Sequence, residues 1–98
     1  MQTSKSARKV YERLAALHAL PDHAALTTNE AALFLRLSTK TLERMRLDGS
    51  GPHYLQAGAV GSRGGNQKCL YIKGDLWAWQ QSNRVVNAMQ AAARRRTV

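Results

Sequence analysis

One cysteine, Cys69, serves the whole 98-residue chain. No internal disulfide and no cysteine-rich zinc site can be built from it. Apolar runs are short, which excludes a membrane-spanning helix. The opening stretch MQTSKSARKVYERL has no uninterrupted apolar core and does not read as a signal peptide. It is basic and amphipathic, as a transit peptide would be, but its spacing fits an ordinary helix. Histidine is also sparse. His18, His23 and His53 have no ligand spacing with one another or with Cys69, so no metal and no cofactor is expected. The glycine-rich GSRGGN lacks the GK[ST] ending and the strand-to-helix setting of a phosphate cradle. Serine, histidine and acidic residues occur, but nothing pairs a nucleophile with a base, which points away from an enzyme.

Acidic residues are the last scarcity, and the most informative one. Six Asp and Glu stand against fifteen Lys and Arg, a net charge of +9. A small domain this basic ordinarily meets a polyanion, most often nucleic acid. The plainer alternative is a basic surface that only aids solubility. The length suits one domain, and a hydrophobic content of 44% suits a folded one.

Residues 4 to 20 read as a helix, with Val10, Leu14 and Leu17 recurring at i, i+4 and i+7. Residues 22 to 26 read as a connector. Thr27-Thr28-Asn29-Glu30 fits a capping box and opens a short helix through Leu35, with Ala31, Ala32 and Leu35 facing inward. Ser38 caps the next helix, which runs to about Asp48 and is ended by Gly49. Gly49-Ser50-Gly51-Pro52 forbids continuation. The pattern then changes period: HYLQAG (53 to 58) and KCLYIK (68 to 73) read as strands, joined by the long glycine-rich AVGSRGGNQ. A helix begins near Asp75 with Leu76, Trp77 and Trp79 as apolar anchors. Val85, Val86, Met89, Ala92 and Ala93 carry helical spacing on to about residue 93, before Arg94, Arg95 and Arg96.

The fold class expected from this order is mainly α with a small β-hairpin: a winged helix-turn-helix with N- and C-terminal flanking helices. Its parts are a flanking helix and connector (1–25), the winged unit (26–83) and a basic C-terminal helix and tail (84–98). The second helix of such a unit enters the major groove of DNA. With Leu42 and Met45 turned inward, Lys40, Glu43, Arg44 and Leu47 point outward. Arg44 could fork onto guanine O6 and N7, and Lys40 could meet a phosphate or a guanine. The amides near Thr39 and Lys40 could bind a phosphate. Arg46 projects nearer the buried side, where an acid such as Glu30 or Asp48 competes with DNA as its partner. Trp77 and Trp79 cannot share one helical face, so one belongs to the core and the other covers the wing or a partner.

The stretch LTTNEAALFLRLSTKTLERMRLDGSGPHYL, followed by YIKGDLWAW, resembles the AlpA and excisionase-like branch of the MerR-type winged helix-turn-helix proteins. The joint pattern covers roughly residues 26 to 81: T-x-x-E-A-A, L-S-x-x-T-L-x-R, G-x-G-P, then Y-x-x-x-D-L-x-x-W. Met45 departs from it, standing where such proteins often place an aromatic, and the wing tip is longer than usual. Family members are small DNA binders of phages and mobile elements. Some regulate transcription, and others direct a tyrosine recombinase towards excision. The resemblance implies that Thr39, Lys40, Thr41 and Arg44 face the major groove and that the wing touches the backbone or minor groove.

The expectation is therefore a non-enzymatic, cytoplasmic, nucleoid-associated protein binding specific double-stranded DNA as an excisionase, a transcriptional regulator, or both. Arg63 and Lys68 would serve the wing, and Arg94, Arg95 and Arg96 would add phosphate contacts from the tail. One domain makes few base contacts, so protomers are expected to assemble on adjacent sites, a tyrosine recombinase being a further partner. The rival reading is a protein-binding anti-activator whose basic helix engages an acidic partner.

Overall fold

The computed structural model describes residues 5–57 and 68–96. In chain order these form α1 (Lys5–Ala19), β1 (Ala25–Thr27), α2 (Thr28–Leu35), α3 (Thr39–Asp48), β2 (Leu55–Ala57), β3 (Lys68–Ile72), α4 (Lys73–Ser82) and α5 (Ala88–Arg96).

Local chemistry sets the helix-turn-helix. The Thr27 hydroxyl accepts from the Glu30 amide at 3.1 Å, and the Glu30 carboxylate accepts from the Thr27 amide at 2.9 Å. This is the reciprocal cap anticipated from the sequence. α2 ends where Arg36 takes a left-handed conformation (φ 60°), with its amide on the Leu33 carbonyl and that of Leu37 on Ala32. That pair of bonds is a Schellman close, and Leu37 then packs against the core. Ser38 starts α3 at once: its hydroxyl accepts from the Thr41 amide at 3.1 Å. Gly49 stops the helix at φ 76°, and the Asp48 carboxylate accepts from both the amide and the hydroxyl of Ser50. The chain then folds back against α3 so closely that a Cβ at Gly51 would lie 2.8 Å from that of Met45.

The β structure is larger than the expected hairpin. Three antiparallel strands lie in the order β1-β3-β2, with Leu26 opposite Tyr71 and Gln56 opposite Cys69. β1 comes from the end of the segment read as a connector. Its three residues carry one inward side chain, Leu26, which is too short a run for a period-two pattern to show. β2 is shorter than the 53–58 expected, and β3 yields to α4 at Lys73, two residues before Asp75. Bonds from the Lys73 amide to Ala24 and from the Gly74 amide to Asp22 tie the strand-to-helix junction to the chain entering β1.

Leu17, Leu26, Ala31, Ala32, Phe34, Leu35, Leu42, Tyr71 and Leu76 form the core. Ala31 and Ala32 are buried in α2, and the missing side-chain bulk lets neighbouring elements approach closely. Along α1 only Leu17 is fully inside; Val10 and Leu14 are half-buried. α1 is held at its C-terminal end by Lys73, a buried lysine whose Nζ donates to the carbonyls of His18 (2.5 Å) and Leu20 (2.6 Å). A cation there also complements the negative end of the helix dipole.

The C-terminal helix is not continuous. The Asn83 amide group and the Ser82 hydroxyl both donate to the Trp79 carbonyl and close α4, while the Asn87 side chain accepts from the Gln90 amide and starts α5. Val85 and Val86 therefore lie in the connection, and Met89, Ala92 and Ala93 belong to the second helix. Trp79 packs on the core and Trp77 is exposed, one of each as the spacing required.

Candidate nucleic-acid interface

α3 has two distinct faces. Leu42 has no exposed surface and Met45 is half-buried beside Gly51, whereas Lys40, Glu43 and Arg44 are exposed and Leu47 is 90% exposed. Lys40 and Arg44 lie one turn apart on the outer face, where neither is drawn into the core. Thr39 and Thr41 are half-exposed at the start of the helix. Thr41 is partly committed to the cap, since its amide donates to Ser38 and its hydroxyl oxygen accepts from the Ser38 hydroxyl at 2.8 Å. The amides of Thr39 and Lys40 are the remaining first-turn donors, directed along the helix dipole.

Arg46 is placed differently. It is half-buried, and its partners are neither Glu30 nor Asp48. Nη1 donates to the Thr28 hydroxyl at 3.2 Å and to the Tyr71 hydroxyl at 2.9 Å, and the guanidinium sits 5.8 Å from the centre of the Tyr54 ring. The rings of Tyr54 and Tyr71 are themselves 6.1 Å apart. Partial burial alone would lower the Arg46 pKa, but the bond to Tyr71 and nearby negative potential more than offset it and hold the pKa above its ordinary value. Burial pushes the Tyr71 phenol upward against the pull of Arg46. Thr28, Tyr54 and Tyr71 were not anticipated as partners. The available signal was the inward position of Tyr71 in its strand, since a buried tyrosine hydroxyl ordinarily finds a partner.

Of the two residues expected on the wing, Lys68 is exposed at the start of β3, paired across the sheet with Ala57, and it lines a shallow hollow with Thr27, Thr28 and Asn29 at the start of α2. Arg63 lies outside the described residues, as do the side chains of Arg95 and Arg96. Arg94 turns back onto the end of α4, donating to the Ser82 carbonyl and, at 2.6 Å, to the Asn83 side chain.

Among the described residues no three His, Cys, Asp or Glu side chains gather as a metal site. His18 instead stacks on Phe34, ring centres 4.7 Å apart. No helix of the described residues is long and apolar enough to cross a membrane.

A family model described as a helix-turn-helix domain matches residues 25–84, more than half of the chain. No curated protein and no solved structure gives a match.

Proposed function

From the premise that this chain belongs to the helix-turn-helix domain family, a DNA-binding family, we propose that it reads specific double-stranded DNA sites with the outer face of α3. The observation that carries this reading is the division of that helix: Leu42 fully buried, Lys40 and Arg44 exposed one turn apart opposite it. Arg44 presents the planar fork that pairs with guanine O6 and N7, and Lys40 supplies a point charge for a phosphate or a guanine. Thr39 and Thr41 stand beside first-turn amides suited to a backbone phosphate. Lys68 and Arg63 are assigned to the wing, and Arg94, Arg95 and Arg96 to weaker contacts from the tail.

The finer role is that of a phage or mobile-element protein, acting as an excisionase that directs a tyrosine recombinase, as a transcriptional regulator, or as both. The AlpA-like and excisionase-like pattern over residues 26 to 81 supports it. One recognition helix reads few base pairs, so several protomers on neighbouring sites are part of the proposal.

Selection of duplexes from a randomised pool, followed by footprinting in the protein's own genetic neighbourhood, tests the reading. Arg44→Ala is expected to cost about 1–3 kcal/mol on the selected site and to leave the fold intact. Equal affinity of mutant and parent removes Arg44 from the readout. Binding to acidic peptides with no preference among duplexes overturns the DNA reading in favour of a protein-binding adaptor.

A further inference from the structure

Arg46 follows Arg44 by two residues and so leaves α3 on a different side of the helix. Its guanidinium meets three other segments. Thr28 opens α2, Tyr71 sits in the middle strand β3, and Tyr54 leads into β2. Tyr71 is a fixed point, with no exposed surface and its backbone paired opposite Leu26. Between α3 and β2 the chain runs through Gly49-Ser50-Gly51-Pro52-His53-Tyr54 with no regular pairing. That segment is held to α3 by the close approach of Gly51 to Met45, and the Arg46–Tyr71 bond links α3 directly to the sheet.

We propose that Arg46 is a positioning residue: through the Tyr71 hydroxyl it sets the orientation of α3 against the wing strands, and it thereby governs sequence discrimination without touching DNA. The inference rests on the DNA-binding reading above. Backbone contacts place a DNA-binding protein on its duplex and base contacts specify the sequence, so a helix tilted relative to its wing keeps the first and loses the second. Bidentate readout tolerates only about 0.5 Å and roughly 10–20° of misplacement. A direct phosphate contact leaves a different signature, because each phosphate neutralised adds about 0.9 to the slope of log K against log salt. A brace adds nothing to that slope.

The test compares the parent with Arg46→Gln, Tyr71→Phe and the double variant. Each is titrated across a salt series against the duplex the parent enriches from a randomised pool and against its scrambled counterpart. Thermal unfolding establishes that each variant folds. Tyr71→Phe removes one buried oxygen that cannot reach DNA, so it carries the test alone if Arg46→Gln does not fold. Both single variants are expected to lower the ratio of specific to scrambled affinity by roughly tenfold, the scale of one charged hydrogen bond. The salt slope on scrambled DNA is expected to stay that of the parent, and the double variant to be no worse than either single one. Parent-like discrimination by Tyr71→Phe overturns the inference, as does a fall of about one in the Arg46→Gln slope on scrambled DNA. A parent that enriches no duplex overturns the DNA reading itself and this inference with it, so the two failures are distinguishable.

Discussion

Arg36 and Gly49 each end a helix with a positive φ, 60° and 76°, yet only one of them is a glycine. A side chain in the left-handed region costs roughly 1–2 kcal/mol, against the roughly 0.4–1 kcal/mol of extra chain entropy that a glycine must give up on folding. Arg36→Gly is therefore expected to stabilise the protein by up to about 1 kcal/mol, read as a higher urea midpoint at unchanged slope. A lower midpoint would mean that the Arg36 side chain contributes an interaction worth more than the strain. At this scale the sequence was legible wherever a residue acts on its near neighbours: Thr27 with Glu30, Ser38 with Thr41, Gly49 as a stop. Arg46 was legible only as turned inward. Its partners Thr28 and Tyr71 lie 18 and 25 residues away, and no local rule connects them.

The elements divide by length. α2, α3 and β3 announced themselves because each repeats its period or carries its own cap. β1 did not, because Ala25-Leu26-Thr27 offers one inward residue and no repeat. Yet that residue is 1% exposed and sits opposite Tyr71 of the middle strand. Leu26→Ala is expected to cost about 2–5 kcal/mol, the range for emptying a packed leucine site. For a chain of this size, whose total stability is on the order of 5–15 kcal/mol, that is a large share. Chemical denaturation measures it, and a loss below about 1 kcal/mol would show that β1 is peripheral to the fold. The break between α4 and α5 escaped for another reason. Apolar residues continue at helical spacing through it, while the side chains that interrupt the helix, Asn83 and Asn87, are polar ones whose capping role depends on where the chain turns.

At the scale of the whole molecule, the net charge of +9 and the exposed apolar residues act in opposite directions. Two such protomers repel each other in dilute salt, so free self-association is disfavoured. Bound side by side on a duplex, they have part of that charge met by phosphates and the repulsion falls. Val86 and Met89, 85% and 82% exposed, are the most exposed large apolar groups outside α3 among the described residues, and they are then open to a neighbour. The expected outcome is a monomer in solution that fills adjacent sites cooperatively, with the steep salt dependence of many phosphate contacts. Analytical ultracentrifugation of the free protein, then of complexes on duplexes carrying one site and several, measures both halves. Replacing Val86 and Met89 together by serine is expected to reduce cooperativity while leaving single-site affinity unchanged, because neither residue belongs to α3 or to the strands of the wing. Independent filling of adjacent sites by the parent would remove protomer contact from the proposal. Cooperativity that survives the double replacement would place the contact on another surface and leave Val86 and Met89 without a part in it.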